Sequence, residues 1–179
     1  MPDEAGRYNE AEQSYRDALA QADVWPGKED SSYAEMWTAL GAAQMKQDHT
    51  QDAEASLQKS ADAYQVEMDA KIKANAALKG DDAVQAQKSL RYEQRSRAAA
   101  LTGAGYLYFR DGNLDDAQKA IEQAYQDAVA GHLTGDTFQG ILMVGSRVAE
   151  QRGDAAEVAK WAARADTTAQ PTLETSPSK

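Results

Sequence analysis

A chain of 179 residues with a formal net charge of -10, a pI near 4.7 and no cysteine suits one domain or one short repeat array. The charge repels phosphate backbones and anionic lipid, which makes nucleic acid and membrane surfaces poor partners. The missing thiols exclude disulfides, thiolate metal sites and cysteine nucleophiles.

Alanine, glutamine and charged residues dominate, with four prolines and two phenylalanines, so the composition predicts an all-α fold. The start, Met1-Pro2-Asp3-Glu4, has neither the basic nor the apolar region of a signal peptide. No run approaches the roughly 18 to 20 apolar residues of a membrane span. The chain therefore reads as soluble, cytoplasmic by default, or periplasmic if a leader has been removed.

In chain order, Gly6-Arg7-Tyr8 reads as a turn and Ala11, Tyr15 and Ala18 mark the helix that follows it, the two together spanning residues 5–22. Pro26 and Gly27 predict a loop over residues 23–30. Ser32 and Glu35 form a capping box that starts a second helix, on which Trp37, Leu40, Gly41 and Gln44 share one stripe. Ala53, Leu57 and Ser60 open a third helix that nothing interrupts from about Asp52 to Leu78. Lys79-Gly80-Asp81-Asp82 turns the chain into a second uninterrupted stretch to about Arg110, carrying Leu101, Ala104, Gly105 and Tyr108. Each arm of this hairpin approaches ~40 Å at about 1.5 Å per residue. After Gly112-Asn113-Leu114 come Ala117, Ile121 and Ala124 on another helix, and Thr134-Gly135-Asp136 precedes a last pair. That pair carries Leu142, Gly145 and Ser146, then a Gly153-Asp154 turn with Asp154 and Glu157 as caps, then Ala162 and Ala165. Its small-residue place falls to Val158 or Ala159, and no large residue follows one turn on. From Asp166 the Thr-, Ser- and Pro-rich tail is expected to be disordered.

Residues 37–60 and 101–124 repeat one pattern, and it resembles the tetratricopeptide repeat family, which joins W-x-x-L-G-x-x-Y on one helix to A-x-x-x-F on the next. The resemblance divides residues 1–165 into a half-repeat (5–22), two repeats (32–78 and 82–130) and a degenerate repeat (136–165), with 166–179 as the tail. It implies an α-solenoid of stacked antiparallel helix pairs, here with an extended helical hairpin. Ala11, Ala53, Ala117 and Ala159 are separated by 42, 64 and 42 residues against a family period of 34; the longer step is similar to that of kinesin-light-chain-like tetratricopeptide proteins. Glycine at 41 and 105 lets a neighbouring helix approach, while Leu57 and Ile121 fill the space between paired helices.

Charge divides unevenly. Residues 66–97 contain seven basic and five acidic side chains, +2, which leaves -12 on the rest. This hairpin reads as a solvated charged element; the alternative is a docking surface for an acidic partner or for the acidic body of a second copy.

Catalytic signals are weak. His49 and His132 fall in predicted turns and neither stands four residues from a second ligand. No phosphate-binding glycine loop, nucleophile elbow or calcium loop occurs. Asp81-Asp82 and Asp115-Asp116 lie at helix starts, where they complement the dipole, and Arg152-Gly153-Asp154 is a chance tripeptide at a turn. The expectation is a non-enzyme with no cofactor or metal.

In the family this chain resembles, first helices line a concave groove that holds a peptide or protein. Residues off the core stripe select Thr102, Tyr106 and Phe109, then Thr38, Ala42 and Met45, then Met143, Arg147 and Glu150. The alternative for Tyr106 and Phe109 is packing against the hairpin or the next repeat. The small and aromatic residues at 38, 42, 102 and 106 do not match the Lys, Asn and Arg with which some family members clamp acidic chaperone tails. Three readings follow: an adaptor for a protein or peptide, a subunit that self-associates or assembles into a larger complex, or a piece of a longer protein with an enzyme or sensor domain elsewhere.

Overall fold

A computed structural model describes residues 4–22 and 31–169. The expected loop over 23–30 and the tail beyond residue 169 lie outside the described residues. Seven α-helices follow in order: α1 (Glu4–Ala22), α2 (Ser31–Met45), α3 (Thr50–Asn75), α4 (Gly80–Arg110), α5 (Leu114–Ala130), α6 (Asp136–Arg152) and α7 (Ala155–Ala169), and no strand occurs among the described residues. Several boundaries move. α1 already includes Gly6, Arg7 and Tyr8, α3 stops at Asn75, short of the expected Leu78, and α4 takes in Gly80, Asp81 and Asp82 of the expected turn. The second helix begins at Ser31, ahead of the expected Ser32 cap, and α7 runs to Ala169, past the Asp166 at which the tail was expected to begin.

Successive helices pack on one another, and α4 also packs on α6. The chain is therefore an all-α array of stacked pairs, α2/α3, α4/α5 and α6/α7, with α1 against α2. None of the described helices is long and apolar enough to cross a membrane.

One steric device sets every pair. A methyl group on Gly41 of α2 would lie 2.8 Å from Leu57 Cγ on α3; on Gly105 of α4, 2.7 Å from Ile121 Cδ1 on α5; and on Gly145 of α6, 2.5 Å from Trp161 Cδ2 on α7. In each pair the large residue stands 16 positions after the glycine. Glycine admits the neighbouring side chain to van der Waals distance of its own backbone, which no residue with a Cβ allows. Leu57 also reaches Gly103 of α4, where a methyl would meet its Cδ1 at 2.9 Å, so this one side chain is wedged between two successive units.

The last pair thus follows the rule, contrary to the expectation of no large residue there. Trp161 is the large residue, 2% exposed, and Glu157, four positions earlier, takes the place held by fully buried Ala53 and Ala117. Glycine spacing puts Gly145 40 residues after Gly105, so the register based on Ala159 was two residues late. Gly153 ends α6 in the left-handed conformation at φ 70°, and Asp154 Oδ1 accepts hydrogen bonds from the backbone N–H groups of Ala156 and Glu157 at 3.1 and 3.0 Å.

Trp161 sits in an aromatic and charged cluster. Tyr125 meets it edge-on at 5.7 Å between centroids, and the Arg164 guanidinium lies 4.0 Å above the Tyr125 ring and 4.3 Å above that of Trp161. Arg164 also donates two hydrogen bonds to Glu122, at 2.8 and 2.6 Å. That pairing holds the Glu122 carboxyl below the ordinary glutamate range. A lowered folded pKa contributes stability above the unfolded value, and this is lost as pH falls through the folded pKa. Glu122→Gln is expected to cost about 1 kcal/mol at neutral pH, discounted for partial exposure. Urea melts at pH 7 and pH 3 should show the difference vanish in acid.

At the other end the helices are tied by polar groups. Ser56 Oγ donates to Gln44 Oε1 at 2.7 Å, and Gln47 Nε2 donates to the buried Glu12 of α1 at 2.6 Å. On α1 the buried side chains are Glu12 and Leu19, whereas Ala11, Tyr15 and Ala18 are half-buried. Their expected core stripe is incompletely covered because, among the described residues, α1 packs on α2 as its helical neighbour.

The hairpin extends the repeat helices themselves. α3 has 26 residues and α4 31, about 39 and 46 Å of helix. At its root Lys71 Nζ lies 2.6 Å from Glu67 Oε1 and 2.6 Å from Glu93 Oε1, with both carboxylates almost fully buried. The second oxygen of each has no hydrogen-bond partner.

Candidate interaction face

Gly41 of α2, Gly105 of α4 and Gly145 of α6 hold the same place against the large residue of the paired helix, and α4 packs on α6. A first helix inside the array is covered on three sides: α4 contacts α3, α5 and α6. Its exposed stripe is therefore narrower than a helix with one buried face would show.

This coverage divides the nine residues selected from sequence. Thr38 is not on an open face; its hydroxyl lies 2.6 Å from that of Ser60, and both reach the Ala34 carbonyl, at 3.2 and 3.0 Å. Met45 packs on the cluster of Ala53, Leu57, Ala104 and Leu107. Thr102 Oγ1 donates to the Ala98 carbonyl at 2.6 Å, and its methyl carbon would be 3.8 Å from a Cβ on Gly140 of α6. Phe109 packs against the main core cluster. These four serve contacts between helices. Ala42, Tyr106, Met143, Arg147 and Glu150 are exposed, Tyr106 at 39% and Met143 at 49%.

The glycine register also separates two groups that the sequence reading treated as one. Each residue just after the glycine, Ala42, Tyr106 and Ser146, holds the same place in its unit. The counterparts of Thr102, Tyr106 and Phe109 on α6 are Leu142, Ser146 and Ala149, of which Leu142 and Ala149 are buried. Met143, Arg147 and Glu150 instead match Gly103, Leu107 and Arg110. They stand one position further round the helix. Only Tyr106 brings a large, exposed aromatic ring to the row that follows the glycines.

Two clusters escaped the sequence reading because their members come from separate helices. Glu12 of α1, His49 before α3 and Asp52 of α3 bring donor atoms within 4.8 Å of one another. They line a cleft of about 710 Å³ with Asp48 and Asp111. Arg16 occupies this cluster, 2.7 Å from Glu12 and 3.5 Å from Asp52, so its carboxylates already have a cation. Nearby, burial and the facing Asp111 raise the pKa of Glu54. The second cluster is the Glu67, Lys71, Glu93 triad. Its i, i+4 half, Glu67 and Lys71, is visible in sequence; Glu93 arrives through the hairpin fold.

Further along α4, Tyr92 donates to Glu35 of α2 at 2.7 Å, and this bond raises the Tyr92 pKa. Tyr64, 2% exposed, is pushed up to about 12 by burial. A phenol so raised stays protonated at neutral pH and acts as a packing group and donor.

No model of a known protein family matches this sequence, and no curated protein matches it. Among solved structures, the crystal structure of BtubC (BKLC) from P. vanneervenii is similar over 97% of this chain and 80% of that one, at 16% identity and a TM-score of 0.36. The chain is an all-α array of stacked helix pairs in which Tyr106 of α4 is exposed at the place after the glycine.

Proposed function

We propose that this chain is a non-enzymatic interaction scaffold of tetratricopeptide type, which holds a peptide or protein against the exposed row of its first helices. The observation that carries this reading is Tyr106. It is a large amphipathic side chain left 39% exposed at the place that alanine and serine fill in the neighbouring units. Tyrosine offers contact area and a hydroxyl at low conformational cost. Met143, one position further round α6 than this row, is a second exposed apolar side chain, at 49%. Among the first helices α4 and α6 pack on each other, so Tyr106 and Ser146 stand on neighbouring helices of the stack.

Tyr106→Ala separates binding from folding, because an exposed ring contributes little to the core. Peptides selected from a random display library on the wild-type chain should bind the variant at least about tenfold more weakly, with an unchanged helical circular dichroism spectrum. Equal binding by both proteins removes Tyr106 from the site. Phe109→Ala is unsuitable for this test, since that ring belongs to the core.

A further inference from the structure

The root of the hairpin holds one more carboxylate than it has cations. The side chains of Glu67 on α3 and Glu93 on α4 are 5% and 2% exposed, and one oxygen of each lies 2.6 Å from Lys71 Nζ. The ammonium brings a single positive charge. With both carboxylates ionised the site would carry a buried net negative charge, and the second oxygen of each, buried and without a hydrogen-bond partner, would lack a donor. Retaining one proton removes both penalties. A carboxylic O–H on one side chain donates to the carboxylate of the other, which satisfies both oxygens at once and leaves the triad neutral. The two side chains are in hydrogen-bonding contact; burial, the Glu67 charge and that contact raise the Glu93 pKa against the pull of Lys71.

The same triad marks the end of the buried packing between the arms. Below it, Ala61, Tyr64 and Met68 of α3 and Ala98 and Leu101 of α4 are buried; from residue 69 to residue 92 no residue is. Ile72, Leu78 and Val84 in that span are 54%, 39% and 52% exposed. A groove of about 290 Å³ already separates the arms at Ile72, Ala76, Ala83 and Leu90. Segments with so few buried contacts open at low free energy, and the triad is the last buried tie that holds this one.

We propose that Glu67 and Glu93 share one proton and that this proton locks the hairpin closed, its loss at raised pH freeing the arms over residues 69–92. The charged groups around the site do not compensate that loss. From α3, Lys71 already serves both carboxylates, and Tyr64, pushed up to about 12 by burial, stays a neutral phenol. From α4, Tyr92 is also raised and donates to Glu35 of α2 at 2.7 Å. On the α5 side, Arg95 is taken by the Gly131 and His132 carbonyls and Arg97 by Asp127. The lock is held below the midpoint of the pair and lost as pH rises through it, before Lys71, whose own pKa is raised, gives up its charge. This device lies away from the Tyr106 row and does not rest on that reading.

Carbon-13 NMR of the full chain, labelled at glutamate Cδ, reads the proton directly. The proton of the pair should come off in one step above the ordinary glutamate range, seen at both carboxyl signals, as in a coupled titration. Glu67→Gln leaves Glu93 alone with Lys71 and should lower its midpoint by at least about one pH unit, a tenfold loss of proton affinity. Independent titration of both carboxyls within the ordinary range overturns the shared proton. The chain has no cysteine, so nitroxides at Ala74→Cys and Gln85→Cys, exposed positions on opposite arms, report the hairpin by double electron-electron resonance. Their distance distribution should be narrow below the midpoint and broaden above it. Adding Glu93→Gln, whose amide donates without titrating, should keep it narrow on both sides. A distribution that ignores pH in the labelled parent, or one that broadens equally with Glu93→Gln, overturns the lock.

Discussion

Trp161→Ala is expected to destabilise the chain by about 3–5 kcal/mol, as removal of a large buried aromatic does when the cavity cannot collapse. The ring is 2% exposed and lies against Gly145 and Tyr125. Its loss also strips one face from the Arg164 guanidinium. Gly145→Ala attacks the same contact from α6 and should cost about 2–3 kcal/mol, since a methyl 2.5 Å from the indole must push a rigid ring. Gly41→Ala should cost a similar amount, because it meets Leu57 at its branching Cγ, 2.8 Å away, and that side chain is wedged against Gly103 on its other side. Urea unfolding followed by far-ultraviolet circular dichroism measures all three. In a stack each unit leans on its neighbours alone, so the loss should appear first as faster hydrogen exchange in α7. A cost under about 1 kcal/mol for Trp161→Ala would show that the last pair is not held by this ring.

The second large effect belongs to the hairpin root. Lys71→Met is expected to destabilise by about 3–5 kcal/mol, because it leaves Glu67 and Glu93 facing each other, buried and without their cation. Glu93→Gln should be nearly neutral at pH 7, since it retains shape and removes a charge the site already disfavours. Burial, with the neighbouring Glu67 adding to it against the pull of Lys71, raises the Glu93 pKa. A carboxyl whose folded pKa exceeds its unfolded one binds more protons in the native state. Its contribution to stability is therefore present at low pH and is lost as pH rises from the unfolded value through the folded one. Lys71, raised by both glutamates against its own desolvation, contributes stability that is lost only in alkali, as pH climbs through its folded pKa. Urea melts of wild type and Glu93→Gln from pH 4 to pH 9 should accordingly differ in slope, with the variant flatter above the glutamate range. Parallel curves would mean that Glu93 does not titrate abnormally.

The legible part of this protein was the part written at helical spacing. Trp37, Leu40 and Gly41, then Ala53 and Leu57, repeated at Leu101, Ala104, Gly105, Ala117 and Ile121, determined paired helices with glycine facing a large aliphatic residue. Unbroken stretches either side of Gly80 determined the hairpin. The last pair was misread because its large residue was sought four positions after an alanine; the constant step of 16 from Gly145 to Trp161 was the signal that could have found it.

Tertiary structure decided the rest. It chose which residues off the core stripe remain open, leaving Tyr106 exposed while turning Thr38, Met45, Thr102 and Phe109 into contacts between helices. It assembled Glu93 with Glu67 and Lys71, and His49 with Glu12 and Asp52, from segments that no sequence pattern links. The reason is physical. A stripe at period 3.6 follows from one helix and one buried side, so it is encoded locally. How many further sides are covered depends on the helices that stack around it, and so does the burial of every charge at those contacts.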